Sequence, residues 1–470
     1  MVLVDRYAPE DVFARVPELA GQTDPVLVQL DRLLDDDELF GRVRADLARR
    51  YRLTACHGRH STPAEAILRL LVVQHLYAWS YRETARRVAD SLVLRWFCRV
   101  YFRRVPDATT LLRWAQTIRP ATLHALLDRV VALARRARVT RGRKLRIDGT
   151  VVPTAIHHPT DSSLLVDGVR VLSRAIRRSK PLAQAALAGA RDAFRTRLRT
   201  VRRALQLLHR LARRQGDAAV EARAAVYRTV IAAAERTVGQ AERVRAALAD
   251  AVAHEDRTAQ RLASRLDRDL PLVRRVLDQA RRRVLQGQQV PALEKVLSLF
   301  EPHTRIITRH KAGAAVEFGR TVVLDEVEGG IVTRYHLLAD GEAEQAQLAP
   351  ALRHHQVLFG RSPRLVTGDR GLHGPDNDRL RREFGVAHLV IPWSGTGNAA
   401  QRARERARPW RRRYRWRSGI EGRIASLRRD YGLWWWWGAP VGTLIVLFIG
   451  LFMVSLGLDQ VANPRLRRGR

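Results

Sequence analysis

Lys144–Leu165 reads KLRIDGTVVPTAIHHPTDSSLL. Its first part, Lys144 to Ile156, is rich in Val, Ile and Thr, residues that suit a half-buried pleated strand, and it contains one carboxylate, Asp148. The stretch predicts a strand that opens a sheet, and an acid inside such a strand calls for a chemical reason. The rest of the chain is organised around it.

Upstream, residues 1–140 read as helices. STPAEAILRLLVVQHLYAWS, SYRETARRVADSLVLRWFCRV and DATTLLRWAQTIR each show apolar residues at three- and four-residue spacing, and two open on a Ser or Asp suited to an N-cap. The second resembles one half of a helix-turn-helix, with Arg82, Arg86 and Arg87 available to phosphates. A helical bundle with solvated arginines fits the same pattern.

Downstream, the chain from about Ser173 to Leu299 is rich in helix formers and predicts an inserted helical arm. Strand signals return in EFGRTVVLDEVEGGIVTRYHLLAD, where Glu328, Gly329 and Gly330 separate two alternating runs, as in a hairpin. A helix follows in EAEQAQLAPALRHHQVLF, then a strand ending on a second acid, Asp369, in PRLVTGDRG. A helix (DNDRLRREFG), a short strand (HLVIPW) and a last basic helix complete the order. With the arm removed, this is a mixed sheet flanked by helices.

The chain has 470 residues and is 46% hydrophobic, enough for more than one core. Lys plus Arg is 84 against 47 acids, a formal charge of +37, and this predicts a polyanionic partner, nucleic acid above all. Lys occurs only at 144, 180, 295 and 311, so base composition of the gene favours Arg, but that exchange leaves the charge unchanged. Two cysteines, Cys56 and Cys98, exclude a disulfide scaffold and fit a reducing cytoplasm, and the first residues show no export signal.

Asp148 and Asp369 both end or interrupt strands and precede small or turn residues. Strand-end carboxylates of an α/β sheet face the crevice where ligands bind, and in a basic chain such acids suit Mg²⁺ set against phosphate oxygens. A strand-end Asp is also an ordinary turn residue. The third acid lies in YRWRSGIEGRIASLRRDYGL, where Tyr414, Arg417, Glu421 and Arg428 return to nearly one helix face beside an apolar stripe of Ile420, Ile424 and Leu427. A surface Glu paired with Arg one turn away gives the same spacing.

These residues resemble the DDE transposases of bacterial insertion sequences. The third acid of that family commonly sits in a Tyr, two residues, Arg, three residues, Glu, six residues, Lys signature, and Arg428 stands here in place of the Lys. The closer resemblance is to the insertion sequences grouped as "not classified yet" (ISNCY), over roughly Asp148 to Leu433, in IDGTVVPTAIHHPTDSSLL, EPHTRIITRHKAGAAVEFG, VTGDRGLHGPDN and the Tyr/Arg/Glu helix. Residues 61–119 resemble the N-terminal domain of transposases of the insertion-sequence-five kind.

The resemblance implies a multidomain, mostly α chain with an α/β RNase H-like catalytic core interrupted by a helical insertion. Its parts would be a DNA-binding domain (1–140), the first core strand (141–172), the arm (173–300), the rest of the core (301–433) and an atypical tail (434–470). It implies Asp148, Asp369 and Glu421 as ligands of two Mg²⁺ ions, with Mn²⁺ a substitute, in phosphoryl transfer. Arg417 and Arg428 would hold phosphates with Tyr414 alongside, and Arg370 would assist. The implied partners are double-stranded DNA, as terminal inverted repeats and target, and further copies of the chain; the implied location is the nucleoid-bearing bacterial cytoplasm. An RNase H-fold nuclease without strand transfer, and an inactive DNA-binding relic or repressor, are the rival readings.

His157, His158 and Asp161 do not complete a zinc set and read as a turn behind the strand. Trp393 in IPWSGTGN is a candidate platform for a displaced base, although Trp at a strand end is commonly core. After Leu433 the text becomes WWWWGAPVGTLIVLFIGLFMVSLGLDQVANPRLRRGR, where Val441–Leu458 holds 18 uncharged residues. A membrane span, a buried terminal helix and a change of reading frame in the gene all account for it, and the membrane reading fits a DNA-acting protein least.

Overall fold

A computed structural model describes residues 4–7, 24–49, 60–190, 192–311 and 314–429. The tail from Trp434 and its three readings lie outside the described residues. In chain order the elements are α1 (Pro25–Leu34), α2 (Asp37–Ala48), α3 (Ala64–Leu76), α4 (Tyr81–Asp90), α5 (Leu92–Phe97), α6 (Ala108–Ala115), α7 (Pro120–Arg136) and β1 (Lys144–Pro153). Next come α8 (Asp161–Ala183), α9 (Leu198–Leu211), α10 (Asp217–Ala247), α11 (Ala249–Ala253), α12 (Arg257–Ala280), β2 (Arg305–Lys311), β3 (Ala314–Val327) and β4 (Ile331–Leu337). The last are α13 (Leu348–Phe359), β5 (Leu365–Gly368), α14 (Asn377–Glu383), β6 (His388–Val390), α15 (Ala399–Arg406), α16 (Arg408–Tyr414) and α17 (Ser418–Arg429). The chain divides into two compact units, one of residues 1–153 with 321–470 and one of residues 154–320.

The first unit begins with helices. Ser80 accepts a bond from the Glu83 amide and Asp107 from the Thr110 amide, so both expected N-caps form. The single run expected over SYRETARRVADSLVLRWFCRV is instead two helices. Ser91 leaves the helical conformation (φ −118°, ψ 120°) and caps α5 through the Leu94 amide, because a Ser hydroxyl competes for backbone donors. Fully buried Arg69 ties these helices together, donating to Asp31 at 2.5 Å, Asp35 at 2.8 Å, Glu65 at 3.2 Å and the Phe97 carbonyl at 3.2 Å.

Among the described residues the sheet is mixed and has six strands. In the first unit the order is β4, β3, β1, β5, β6: β3 and β4 form the expected antiparallel hairpin, and β1–β5 and β5–β6 pair in parallel. At the hairpin Gly329 and Gly330 have φ of 88° and 78°, a region closed to most side chains. The Glu328 carboxylate accepts from the amides of Arg143 (2.7 Å) and Lys144 (2.8 Å), which fixes the start of β1.

The second unit is a bundle of α8, α9, α10 and α12 around Leu165, Leu172, Val230, Ala234, Leu266 and Val273. Its first helix starts at Asp161, well before the expected Ser173. Thr160 and Ser163 form a capping box there, so the Pro-Thr-Asp-Ser composition that reads as a turn is a helix start. β2 was not anticipated; it pairs antiparallel with the first half of β3, from Arg305 opposite Gly319 to Thr308 opposite Val316.

Candidate active site

The geometry starts with register. β1 and β5 run parallel with Lys144 opposite Leu365 and Ile147 opposite Gly368. The next residue in β1 is an acid, Asp148, and the residue that follows the end of β5 is another, Asp369. The Asp369 Oδ1 accepts the Gly371 amide at 3.0 Å and caps a short 3₁₀ turn, Arg370–Leu372.

Side chains alternate along a strand, so Arg146, Asp148 and Thr150 project from β1 on one face. Each bonds the segment that carries Glu421. Arg146 Nη1 donates to the Trp416 carbonyl at 2.8 Å; Arg417 Nη2 donates to both Asp148 oxygens at 3.3 Å; Arg428 Nη2 donates to Thr150 Oγ1 at 2.6 Å and to the Val151 carbonyl at 2.7 Å. Arg417 Nη1 also donates to Glu421 Oε1 at 2.8 Å, so one guanidinium bridges the first and third acids.

The expected single basic helix is broken into α15, α16, a 3₁₀ turn at Arg415–Arg417, and α17. A continuous helix would need the Pro409 N–H, which proline lacks, and would drive its ring into the carbonyl four residues earlier, so the chain breaks ahead of it with Ala407 extended (ψ 133°) and Pro409 in the first turn of α16. The apolar stripe is as expected: Ile420, Ile424 and Leu427 are buried in α17, which turns Glu421 outward with its side chain 60% exposed. Tyr414 stacks on Trp410, ring centroids 4.9 Å apart.

Electrostatics follow from this packing. Burial pushes the Asp148 carboxyl up to about 6; Arg417 opposes the rise, while the negative charges of Asp369 and Glu421 add to it. Burial also raises the Tyr414 phenol, and Asp369 and Asp148 contribute in the same direction against Arg417. For Arg417, burial works against its charge but Asp148, Tyr414 and Glu421 outweigh that, and its pKa rises.

Beneath this set lies an ion pair that sequence reading missed. Arg146 donates to Glu326 of β3 at 3.0 and 2.6 Å, and Arg423 of α17 approaches the same carboxylate at 3.6 Å. The Trp416 ring lies 4.8 Å from the Arg146 guanidinium. A Cβ on Gly419 would stand 2.9 Å from Arg146 Cζ, so the close approach of α17 requires glycine there. Glu344, at the start of a 3₁₀ turn Glu344–Gln347, was also missed; its carboxylate occupies the space a Cβ would need at both Gly149 and Gly371. A glycine one residue after Asp148 and another two residues after Asp369 were the available signal.

The other predicted residues separate into two places. Arg370 is exposed beside Asp369. Trp393 is 41% exposed and tilted against His373 at 4.1 Å, in a cleft of about 150 Å³ that Asn377, Arg404 and Trp410 also line. Arg82, Arg86 and Arg87 lie on α4, away from the acids in sequence and element; all three are exposed, and Glu83 holds Arg86 (2.7 and 3.1 Å) and Arg87 (2.7 Å). In the second unit His157 bonds Ser163, His158 meets Phe318 edge-on, and Asp161 accepts from Gln279 and Arg283 at 2.8 Å each, which ties Asp161 to α12 and to the turn after it.

Among the described residues, no three His, Cys, Asp or Glu side chains are set to hold one ion as they stand. The Arg417 guanidinium lies between Asp148 and Glu421. The donor set itself, hard oxygens crowded so that a carboxyl gains its proton too easily, fits a hard divalent cation.

Residues 16–117 match the family described as Transposase domain (DUF772). A protein described as uncharacterized protein ORF8 in the nfe locus of Rhizobium meliloti is 31% identical over 123 residues, which cover 25% of this chain and 59% of the relative. The chain thus spans less than two thirds of that relative's length. No solved structure matches. The match over 16–117 supports a transposase role and lies on the N-terminal helices, not on the acids. No helix among the described residues is long and apolar enough to cross a membrane.

Proposed function

We propose that the chain is a DDE transposase, which binds the inverted repeats of an insertion sequence and cleaves and joins DNA strands at Asp148, Asp369 and Glu421. One observation carries the reading: parallel register places two acids side by side, and the Arg417 fork ties the third to the first. The sheet order β4, β3, β1, β5, β6, with a hairpin on one side and parallel strands on the other, supports an RNase H-like core.

In this reading the three carboxylates hold two divalent cations, Mg²⁺ with Mn²⁺ as substitute. The cations would supply positive charge to the attacking and leaving oxygens of a phosphodiester. The chain's own groups do the rest. Arg417 neutralises Asp148 and Glu421 before loading and is free to turn to a phosphate oxygen afterwards, a planar fork suited to that exchange. The buried Arg146–Glu326 pair holds the Trp416 carbonyl and keeps the Glu421 helix against β1. Trp393 offers a ring to an unstacked base. The +37 charge favours DNA over any neutral partner. Two ends must be cut and joined, so a homo-oligomer is part of the proposal.

The test is strand transfer in vitro with Mg²⁺ and DNA carrying the element's ends, wild type against Asp148→Ala. Equal product from both would end the proposal. Nicking without joining of a pre-cleaved end would favour the nuclease reading.

A further inference from the structure

We infer that helix α9 of the arm is a DNA-docking face in its own right, where Arg199, Arg202, Arg203 and Arg210 grip the phosphate backbone of duplex DNA without reading its sequence. That DNA is the polyanion rests on the reading given above; the row of charges stands without it.

Between Asp192 and Asp217 the chain has eight Arg and no acid. α9 packs on α8 and α10 and buries Val201, Ala204, Leu208 and Leu211. At about 100° of turn per residue, the four arginines fall in one sector on the opposite side of the helix, with the uncharged Gln206 among them. All four are exposed. From Arg199 to Arg210 the row runs about 16 Å, a length over which duplex DNA presents on the order of nine phosphate charges.

The rest of the arm treats its arginines differently. Arg228 donates to Glu221 at 2.9 Å, Arg245 to Asp267 at 2.7 and 3.0 Å, Arg274 to Glu242 at 2.6 Å and Arg282 to Glu294 at 2.8 Å. On α12, Arg265 and Arg268 share Asp269. The four guanidiniums of α9 have no hydrogen bond or ion pair to any described residue.

Such a row works against its own helix, because Arg199 meets Arg202 and Arg203 one turn away as like charges. Solubility does not call for it, since interspersed signs, as on α10 and α12, serve that end. A polyanion laid along the face turns the repulsion into attraction and releases its own counterions. Arginine's planar fork suits phosphate oxygens, and no acid on α9 competes for it. One charge repeated along one face matches a repeating backbone and carries no base pattern.

The experiment measures binding of the purified full chain to a duplex of unrelated sequence, by fluorescence anisotropy over a series of salt concentrations without Mg²⁺. The row variant carries Arg199→Gln, Arg202→Gln, Arg203→Gln and Arg210→Gln. A charge-matched variant carries Arg228→Gln, Arg268→Gln, Arg274→Gln and Arg281→Gln, all exposed and all paired with acids. The row variant is expected to melt with wild type and to bind about ten- to a hundredfold more weakly, on unrelated DNA and on the element's ends alike. Its slope of log affinity against log salt is expected to fall by about 3 to 4, and that of the single Arg203→Gln by about 1. The charge-matched variant is expected to stay within about twofold of wild type. Equal weakening in the two fourfold variants would mean that net charge alone acts, and overturns the inference. A wild-type slope in the row variant overturns it and leaves DNA binding elsewhere on the chain standing. A loss confined to duplex RNA overturns the choice of DNA. A wild-type chain that binds no duplex overturns the proposed function as well.

Discussion

Arg146 and Glu326 form a two-pronged ion pair, at 3.0 and 2.6 Å, between β1 and β3 directly behind the acids. Both side chains are buried, at 9% and 0% exposure, so each is the other's replacement for water. Arg146→Ala leaves the buried Glu326 with Arg423, at 3.6 Å, as a more distant partner, and the expected loss is about 1 to 3 kcal/mol of unfolding free energy, read by urea denaturation. Replacing both by Met is expected to restore most of it, because well-packed apolar residues often substitute for a buried pair. The double variant still lacks the donor to the Trp416 carbonyl, so its strand-transfer rate stays low while its stability recovers.

Asp148 gives stability a pH dependence. Its folded pKa of about 6 lies above the ordinary 3.8, so the folded chain holds the proton more tightly than the unfolded one between those values. That contribution is full below about pH 4, fades as pH rises through 6, and is absent above. Asp148→Asn, neutral throughout, is expected to gain on wild type by roughly 2 to 3 kcal/mol between pH 4 and pH 8 in chelator, and to be inactive at both. A stability difference that does not change over this range would contradict the burial argument.

Arg417 holds apart what it also neutralises. Arg417→Gln removes the charge between Asp148 and Glu421 and is expected to lower the Mg²⁺ concentration that half-saturates the thermal shift, by about fivefold, the equivalent of roughly 1 kcal/mol for a partly exposed ion pair. On the proposed function, strand cleavage is expected to fall at the same time by about a hundredfold, through loss of the positive group that would face the phosphate. Unchanged Mg²⁺ dependence would show that the guanidinium does not compete with the cation.

Arg428 separates two roles. Its Nη2 ties α17 to Thr150 and Val151, whereas the resemblance assigns it to phosphate. Arg428→Ala is expected to destabilise the chain by about 1 to 3 kcal/mol, and Arg428→Lys to recover only part, since an ammonium is not a fork. DNA affinity and its salt slope are expected to change little in Arg428→Lys. A full recovery of stability by Lys would argue against the tie to β1.

Much of the site was legible because it rests on local periods. The two-residue alternation of a strand places Asp148, the run LVTG leads directly into Asp369, and helical spacing joins Arg417 to Glu421 with Ile420, Ile424 and Leu427 behind. What was not legible rests on distant pairing. Arg146 and Glu326 are 180 residues apart in sequence, and nothing local marks either as the other's partner. Glu344 is hidden in the same way, since the glycines that admit it lie on other elements. The early start of α8 was misread for a different reason: Thr160 and Ser163 favour turns and helix caps alike, and only the helix that follows decides between them.

The pairing of β1 with β5 also bears on how a sample of this protein should be judged. A shift of β1 by one residue would present Ile147 where Asp148 now stands and send the acid to the opposite face. Such a chain would keep its strands, its helices and a similar circular dichroism spectrum, yet it would lack the proposed reaction centre. Spectroscopic foldedness is therefore the wrong acceptance criterion for a preparation. On the proposed function, the fraction of molecules able to bind a divalent cation would count those whose strands have closed in the correct alignment.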